Sequence, residues 1–215
     1  MVNGFRDVFR ISLPLIISMC SHTVMLFTDR LFLGWYSLDA LAAATPAGMT
    51  AFTFSCFFAG IATFTNTFVA QYYGSGRFLQ VGRVIWQALY FAIIGGALLG
   101  GMAWVGNPLF AMFKHQAGVR SMEAVYFQIL MWGSGFSLLR DVLGCFYSGR
   151  GLTGAIMAVN LFGMAINVPL DYVMIFGCAG FPAMGIAGAA IATVASHVIM
   201  SAVFAFLVFR RKNDA

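Results

Sequence analysis

The sequence predicts an all-α membrane protein, a bundle of six transmembrane helices. Of its 215 residues, 61% are hydrophobic and only 9% are charged, whereas a soluble domain carries about 25% charged residues. So few charges cannot cover a water-soluble surface, and most of the chain must therefore face lipid. The uncharged stretches are also long enough, because about 20 mostly apolar residues cross the hydrocarbon core of a bilayer.

The six spans follow from the uncharged stretches and the turn residues between them. Stretches without Asp, Glu, Lys or Arg cover residues 11–28, 40–76, 84–113, 124–139, 151–170 and 172–209. Glycine and proline divide these stretches at turns. We interpret residues 1–215 as one domain with spans near 12–36, 46–71, 84–105, 121–145, 153–177 and 184–209. The opening segment has no small-residue cleavage site, so we do not interpret it as a signal peptide.

The basic residues predict the orientation of the spans, since loops rich in Lys and Arg stay in the cytoplasm. One side of the bundle carries Arg6, Arg10, Arg77, Arg83, Arg150, Arg210, Arg211 and Lys212. The other side carries only Lys114 and Arg120. We therefore expect a multi-pass protein of the cell membrane, the inner membrane in a bacterium, with both termini in the cytoplasm. The net charge of +5 reflects this topology and predicts no nucleic-acid partner.

The sequence offers little sign of an enzyme. It has no G-x-x-x-x-G-K-[ST] phosphate loop, and we expect no cofactor, so uphill transport would depend on an ion gradient. The alternative from another class is an intramembrane serine protease that uses Ser134 and His197. Around Ser134 the sequence reads WGSG, which lacks the first glycine of the rhomboid motif G-x-S-G. Nothing in the sequence predicts the oxyanion hole that such an enzyme needs.

Two acids inside the predicted spans are the main functional candidates, because an ionisable group is costly in hydrocarbon. Asp29 lies in the first span and Asp171 in the fifth, each about 26 Å along its helix at 1.5 Å per residue. Each ends a polar stripe at helical spacing. The stripes are Ser18, Ser21, His22 and Met25 before Asp29, and Asn160, Gly163, Met164 and Asn167 before Asp171. We expect both acids to face one cavity in the outer half of the membrane.

Each of these features also has a purely structural interpretation. Asp29 either serves the site or pairs with the adjacent Arg30 near the end of its span. Pro169 either opens the fifth helix as a hinge or leaves a static kink. Arg140 and Asp141 are interpreted as a structural or gating ion pair rather than a substrate site. The histidines His22 and His197 are interpreted as packing residues, and His115 as a loop residue that carries no signal.

Six segments, taken together, resemble the multidrug and toxic compound extrusion (MATE) family. The segments are TDRLFLG at 28–34, DALAA at 39–43, FVAQYYGSG at 68–76, FYSGRGLT at 146–153, NVPLDYVMIFG at 167–177 and GIAGAAIAT at 185–193. They occur in the family's order and cover nearly the whole chain. One departure is Arg30, which stands where the family pattern often has threonine.

The resemblance implies a secondary transporter that exchanges cationic amphiphiles for protons or sodium ions. It places Asp29, Asn167 and Asp171 on the family's ion-coupling positions, with Thr193 as a further candidate. A sodium ion at Asp29, Asn167 and Asp171 is one possibility that it leaves open. The alternatives are a lipid-precursor flippase of the same superfamily and a truncated lobe without activity.

The resemblance covers only one half of the family's architecture. The family has twelve spans in two lobes of six, and two lobes with an even number of spans share one orientation. The expected partners are therefore a small cationic substrate, membrane lipid and a second lobe. That lobe comes either from a second copy of the chain or from a longer parent chain.

Overall fold

A computed structural model of the chain describes residues 4–113, 115–178 and 180–210, without the side chains of residues 5–7. These residues form eight α-helices and contain no β-strand. The helices are α1 (Gly4–Tyr36), α2 (Leu38–Thr63), α3 (Thr65–Gly74), α4 (Phe78–Met102), α5 (Gly106–Ala111), α6 (Ala117–Ser148), α7 (Thr153–Phe176) and α8 (Ile186–Val208). A short 3-10 turn, Ala103–Val105, joins α4 to α5.

Among the described residues, six helical stretches are long and apolar enough to cross a membrane, which confirms the predicted all-α, six-span fold. They are Val8–Tyr36, Leu38–Gly74, Phe78–Ala111, Ala117–Ser148, Thr153–Phe176 and Ile186–Val208. The second stretch combines α2 with α3, and the third combines α4 with α5. In a representative apolar segment of 18 residues, only 17% of the first stretch is buried inside the bundle, against 44% of the fourth. The first stretch therefore lies at the outside of the bundle and the fourth at its centre.

The second span begins earlier than the sequence predicts. We placed its start at residue 46, but α2 begins at Leu38 and passes through Pro46. Ser37 starts the helix, because its hydroxyl accepts a hydrogen bond from the Ala40 amide at 3.4 Å. An interior proline removes a single backbone hydrogen bond, and α2 continues past it. Pro46 therefore does not mark the start of the second helix.

The helices pack around α6, which contacts α2, α4 and α8, while α1 packs on α7 and α7 on α8. Two of these contacts depend on glycine. A Cβ at Gly96 of α4 would lie 2.5 Å from the Cα of Gly135 in α6. A Cβ at Gly188 of α8 would lie 2.5 Å from the Met174 carbonyl oxygen in α7. Small residues allow such close approach between helices in a membrane.

Some basic residues that predict the orientation are not described. Lys114, Arg211 and Lys212 lie outside the described residues, and only the backbone of Arg6 is described. The orientation of the termini therefore stays a prediction.

Candidate functional site

A cavity of about 500 Å³ is lined by residues of α1, α2, α6, α7 and α8, and its mostly apolar wall contains several ionisable side chains. Three of the four residues predicted from the sequence line it: Asp29, Asn167 and Thr193. The fourth, Asp171, is completely buried and lies one helical turn beyond Asn167 on α7. It lies on α7, which packs against α1, the helix that carries Asp29. The structure thus brings the two acids to one region.

Asp29 is held by residues of α1 and α6. One carboxylate oxygen, Oδ2, accepts a hydrogen bond from the Tyr126 hydroxyl at 3.2 Å. The same oxygen lies 3.4 Å from Nη1 of Arg30, so the two side chains form an ion pair. The Arg30 guanidinium also lies over the Tyr126 ring, 5.5 Å from its centroid, a cation–π contact. Asp29 therefore has the Arg30 partner that one interpretation of the sequence expected.

Asp171 and Asn167 have no comparable partners. Neither carboxylate oxygen of Asp171 and neither polar side-chain atom of Asn167 has a hydrogen-bond partner among the described residues, although all four atoms are buried. A buried charge without a partner is costly, and most buried polar atoms in proteins are hydrogen-bonded. The oxygen atoms of Asp171 and Asn167 are thus not engaged by other described residues.

The available donor atoms fit a proton or a hard cation. Carboxylate and amide oxygens are the ligands that hard cations prefer, and Asp171 and Asn167 supply three such oxygens with no other partner described. The described residues contain no cluster of three or more His, Cys, Asp or Glu side chains suited to a metal ion. The residues thus fit sodium or a proton better than a transition metal.

The Arg140–Asp141 ion pair lies in the wall of the same cavity. Nε and Nη2 of Arg140 donate to the same oxygen, Oδ1 of Asp141, at 3.0 and 2.7 Å. Both residues line the main cavity and a second cavity of about 370 Å³, and so does His22. The ion pair expected from the sequence is therefore present, and its structural or gating role stays a prediction.

The polar stripes predicted on the first and fifth spans face each other. The side-chain amide of Asn160 donates a hydrogen bond to the Ser18 hydroxyl between α7 and α1. Pro169 lies within an unbroken α7, so the helix is not opened at this residue. The second cavity begins beside the Ser18–Asn160 contact and includes His22 and Met25.

The residues of the protease alternative do not form a catalytic pair. Ser134 and His197 both line the main cavity. However, the Ser134 hydroxyl donates to the Met131 carbonyl oxygen of its own helix at 2.6 Å. A nucleophilic serine instead needs a base within hydrogen-bond reach, so the geometry does not support this alternative.

Sequence reasoning missed two partners that lie far along the chain or in a loop. Tyr126 is 97 residues from Asp29, and a tyrosine within a span gives no signal comparable to that of an acid. His115, a loop residue that carries no functional signal in the sequence, contacts the completely buried Glu123, with 2.8 Å between Nδ1 and Oε1. His115 lies in a loop, as expected, and nothing in the sequence around it predicts the contact with Glu123.

The fold and the cavity define an integral membrane bundle with several ionisable side chains in the wall of a mostly apolar cavity. The family model MatE matches residues 14–173. The chain belongs to the MatE family, which confirms the resemblance seen in the six segments.

Curated relatives match most of this chain but less than half of their own length. A probable multidrug resistance protein NorM of Rhizobium meliloti is 31% identical over 88% of this chain and 41% of its own length. A probable NorM of Thermotoga maritima is 26% identical, covering 97% and 45%. The multidrug resistance protein PmpM of Pseudomonas aeruginosa is 28% identical, covering 87% and 40%. The chain therefore spans about half the length of these relatives, whose names describe resistance proteins and not enzymes.

Solved structures show the same fold. A MOP superfamily transporter from Pyrococcus furiosus superposes with a TM-score of 0.87 at 22% identity, over 97% of this chain and 45% of that one. A multidrug resistance MATE family transporter in an outward-facing conformation superposes with a TM-score of 0.88 at 22% identity, over 96% and 45%. This chain thus has the fold of one half of those transporters.

Proposed function

We propose that this chain is one lobe of a secondary active transporter that exports cationic amphiphilic compounds in exchange for protons or sodium ions. The observation that supports the proposal most is the pair of buried acids: Asp29 lines the main cavity, and Asp171 has no partner for either oxygen among the described residues. An intramembrane acid of this kind is typical of ion and substrate pathways. The names of the curated relatives support the multidrug part of the proposal.

The coupling mechanism is a competition for negative charge. A proton or sodium ion neutralises Asp171, and Asn167 and Thr193 supply further oxygens on the neighbouring turn of α7 and on α8. A cationic substrate in the cavity is attracted by the same charge. Binding of the ion therefore disfavours binding of the substrate. Each ligand shifts the equilibrium between the inward-facing and outward-facing states to the extent that it binds one state more tightly than the other.

The second half of the pathway comes from another lobe. The chain spans about half the length of its relatives, and two lobes of six spans relate about an axis along the membrane normal. Residues 1–215 form a single six-span domain in this proposal. Its partner is a parallel second copy or the remainder of a longer parent chain, and both termini of this domain lie in the cytoplasm.

Dye export from cells tests the proposal. Cells that express the chain, with its parent chain where one exists, are loaded with ethidium, and loss of fluorescence is followed. We expect export that stops on addition of an uncoupler or on removal of sodium, and the two treatments distinguish the coupling ion. Export that survives both treatments would contradict ion coupling. Cells without the chain and cells with the Asp171→Asn variant are the controls.

A further inference from the structure

The two acids of the candidate site differ in whether a cationic side chain lies beside them. Asp29 has Arg30 beside it, with Nη1 3.4 Å from Oδ2, and the Arg30 side chain is 27% exposed against 4% for Asp29. Both side chains line the main cavity. Asp171 has no such cation among its described contacts, and its two oxygens are buried without a partner.

The Arg30 guanidinium is held in place by two neighbouring helices. On one side it lies over the Tyr126 ring of α6, which in turn donates its hydroxyl hydrogen to Asp29. On the other side it packs against Gly48 of α2, where a Cβ would lie only 2.8 Å from Nη2. The glycine therefore leaves room for the guanidinium within the cavity wall.

We propose that Arg30 is a specificity-determining residue. Its guanidinium group pairs with the Asp29 carboxylate and thereby weakens the binding of permanent monocations at this end of the cavity. The inference rests on the proposed function and deepens it. A soluble cation that approaches Asp29 has to compete with a guanidinium already bound to the protein. Asp171 is then the acid whose charge no cationic side chain among the described residues neutralises.

The charge balance of the cavity supports this inference. Its lining contains the acids Asp29 and Asp141 and the cations Arg30 and Arg140, so the formal charges of these residues cancel. Arg140 is already bonded to Asp141. Removal of the Arg30 charge leaves one unpaired negative charge facing the cavity, at an effective dielectric constant far below that of water.

Two ions of the same size and opposite sign provide the test. The purified chain is assayed in detergent for binding of tetraphenylphosphonium and of tetraphenylborate by equilibrium dialysis. We expect Arg30→Gln to bind tetraphenylphosphonium at least about tenfold more tightly than the unmodified chain and tetraphenylborate more weakly. Arg30→Lys keeps the charge and is expected to stay within about threefold of the unmodified chain.

Matched variants separate a local effect from a change in total charge. Arg83→Gln removes the same charge from an exposed position on α4 that does not line the cavity, and it is expected to leave binding unchanged. The double variant Asp29→Asn with Arg30→Gln removes both partners and is expected to cancel the tenfold gain. If Arg30→Gln does not fold, Asp29→Asn carries the test, because it leaves Arg30 unpaired and should favour tetraphenylborate.

The possible outcomes separate the inference from the proposed function. Binding of tetraphenylphosphonium that is present but unchanged in Arg30→Gln overturns the role of Arg30 and leaves the proposed function standing. A tenfold gain that persists in the double variant also overturns it, since the gain would not come from Asp29. Absence of tetraphenylphosphonium binding in every variant also overturns the role of Arg30, because there is then no binding for its charge to weaken, whereas the proposed function is tested separately by dye export from cells.

Discussion

Among single residues, the acids of the spans were predictable from the sequence and their partners were not. Asp29 and Asp171 stand out because each interrupts a long apolar stretch in which a charge is costly. Tyr126 has no such cost, and its contact with Asp29 joins α1 to α6 across 97 residues. Nothing local in the sequence specifies that pairing. The sequence alone does not decide whether Asp29 pairs with Arg30, because adjacent residues on a helix point in different directions.

The first residue-scale prediction concerns Asp171. We expect Asp171→Asn to abolish ion-coupled export, because it removes the charge that the exchanged cation neutralises. Expression and folding should be retained, since a neutral amide at this buried position avoids the cost of an unpaired charge. Dye efflux, with the amount of membrane-inserted protein measured in parallel, checks the prediction. Asp29→Asn is expected to lose export as well.

An exposed acid provides the control for these variants. Asp39 lies in the first turn of α2 and is exposed, so Asp39→Asn should cost only about 0.3–1 kcal/mol of helix stability. Its export should equal that of the unmodified chain. Full export by both Asp29→Asn and Asp171→Asn would refute the role assigned to the two acids.

At the scale of helices, the six spans were predictable and several of their ends were not. Hydropathy alone identifies a span, because lipid demands about 20 consecutive apolar residues. The start of α2 depends instead on a single capping contact of Ser37 and on a bundle that tolerates Pro46 inside the helix. The same holds for α7, in which Pro169 lies between Asn167 and Asp171 without ending the helix.

The element-scale prediction concerns the contact between α4 and α6. Gly96→Ala places a methyl group against the Gly135 backbone, 2.5 Å from its Cα before any adjustment. We expect a loss of about 1–3 kcal/mol in the free energy of unfolding, because the two helices must separate. Thermal unfolding in detergent measures the change.

A second glycine of the same helix is the matched control for Gly96. A Cβ at Gly101, also in α4, meets no atom within 4 Å. Gly101→Ala should therefore be neutral or slightly stabilising, since alanine favours the helix more than glycine does. Equal stability of the two variants would show that the α4–α6 contact does not depend on the glycine.

At the scale of the whole molecule, the orientation of the bundle has a direct test. Cys178 lies between α7 and α8, on the side that our orientation places outside the cell. We expect a membrane-impermeant maleimide to label Cys178 in intact cells, because the reagent reaches thiols only from outside. Cys178→Ser should lose this labelling. Labelling found only in inverted vesicles would reverse the proposed orientation of the termini.

The number of lobes in the proposed transporter was not predictable from the sequence. Lipid is as apolar as the helices, so hydrophobicity alone drives no pairing and close packing must do so. The bundle exposes large apolar side chains on several helices, among them Phe52, Phe57 and Trp132. These side chains suit lipid as well as a second lobe. The composition therefore predicts a membrane protein and does not identify the face at which a partner binds.

The central claim, that this chain is one lobe of a two-lobe exporter, is tested most directly by transport measured together with mass. The purified 215-residue chain is reconstituted into liposomes, its oligomeric mass is determined, and export of ethidium is followed under an imposed proton or sodium gradient. We predict coupled transport only from assemblies with two parallel lobes, either two copies of the chain or a longer parent chain. Robust coupled transport by a proven monomer would contradict this account.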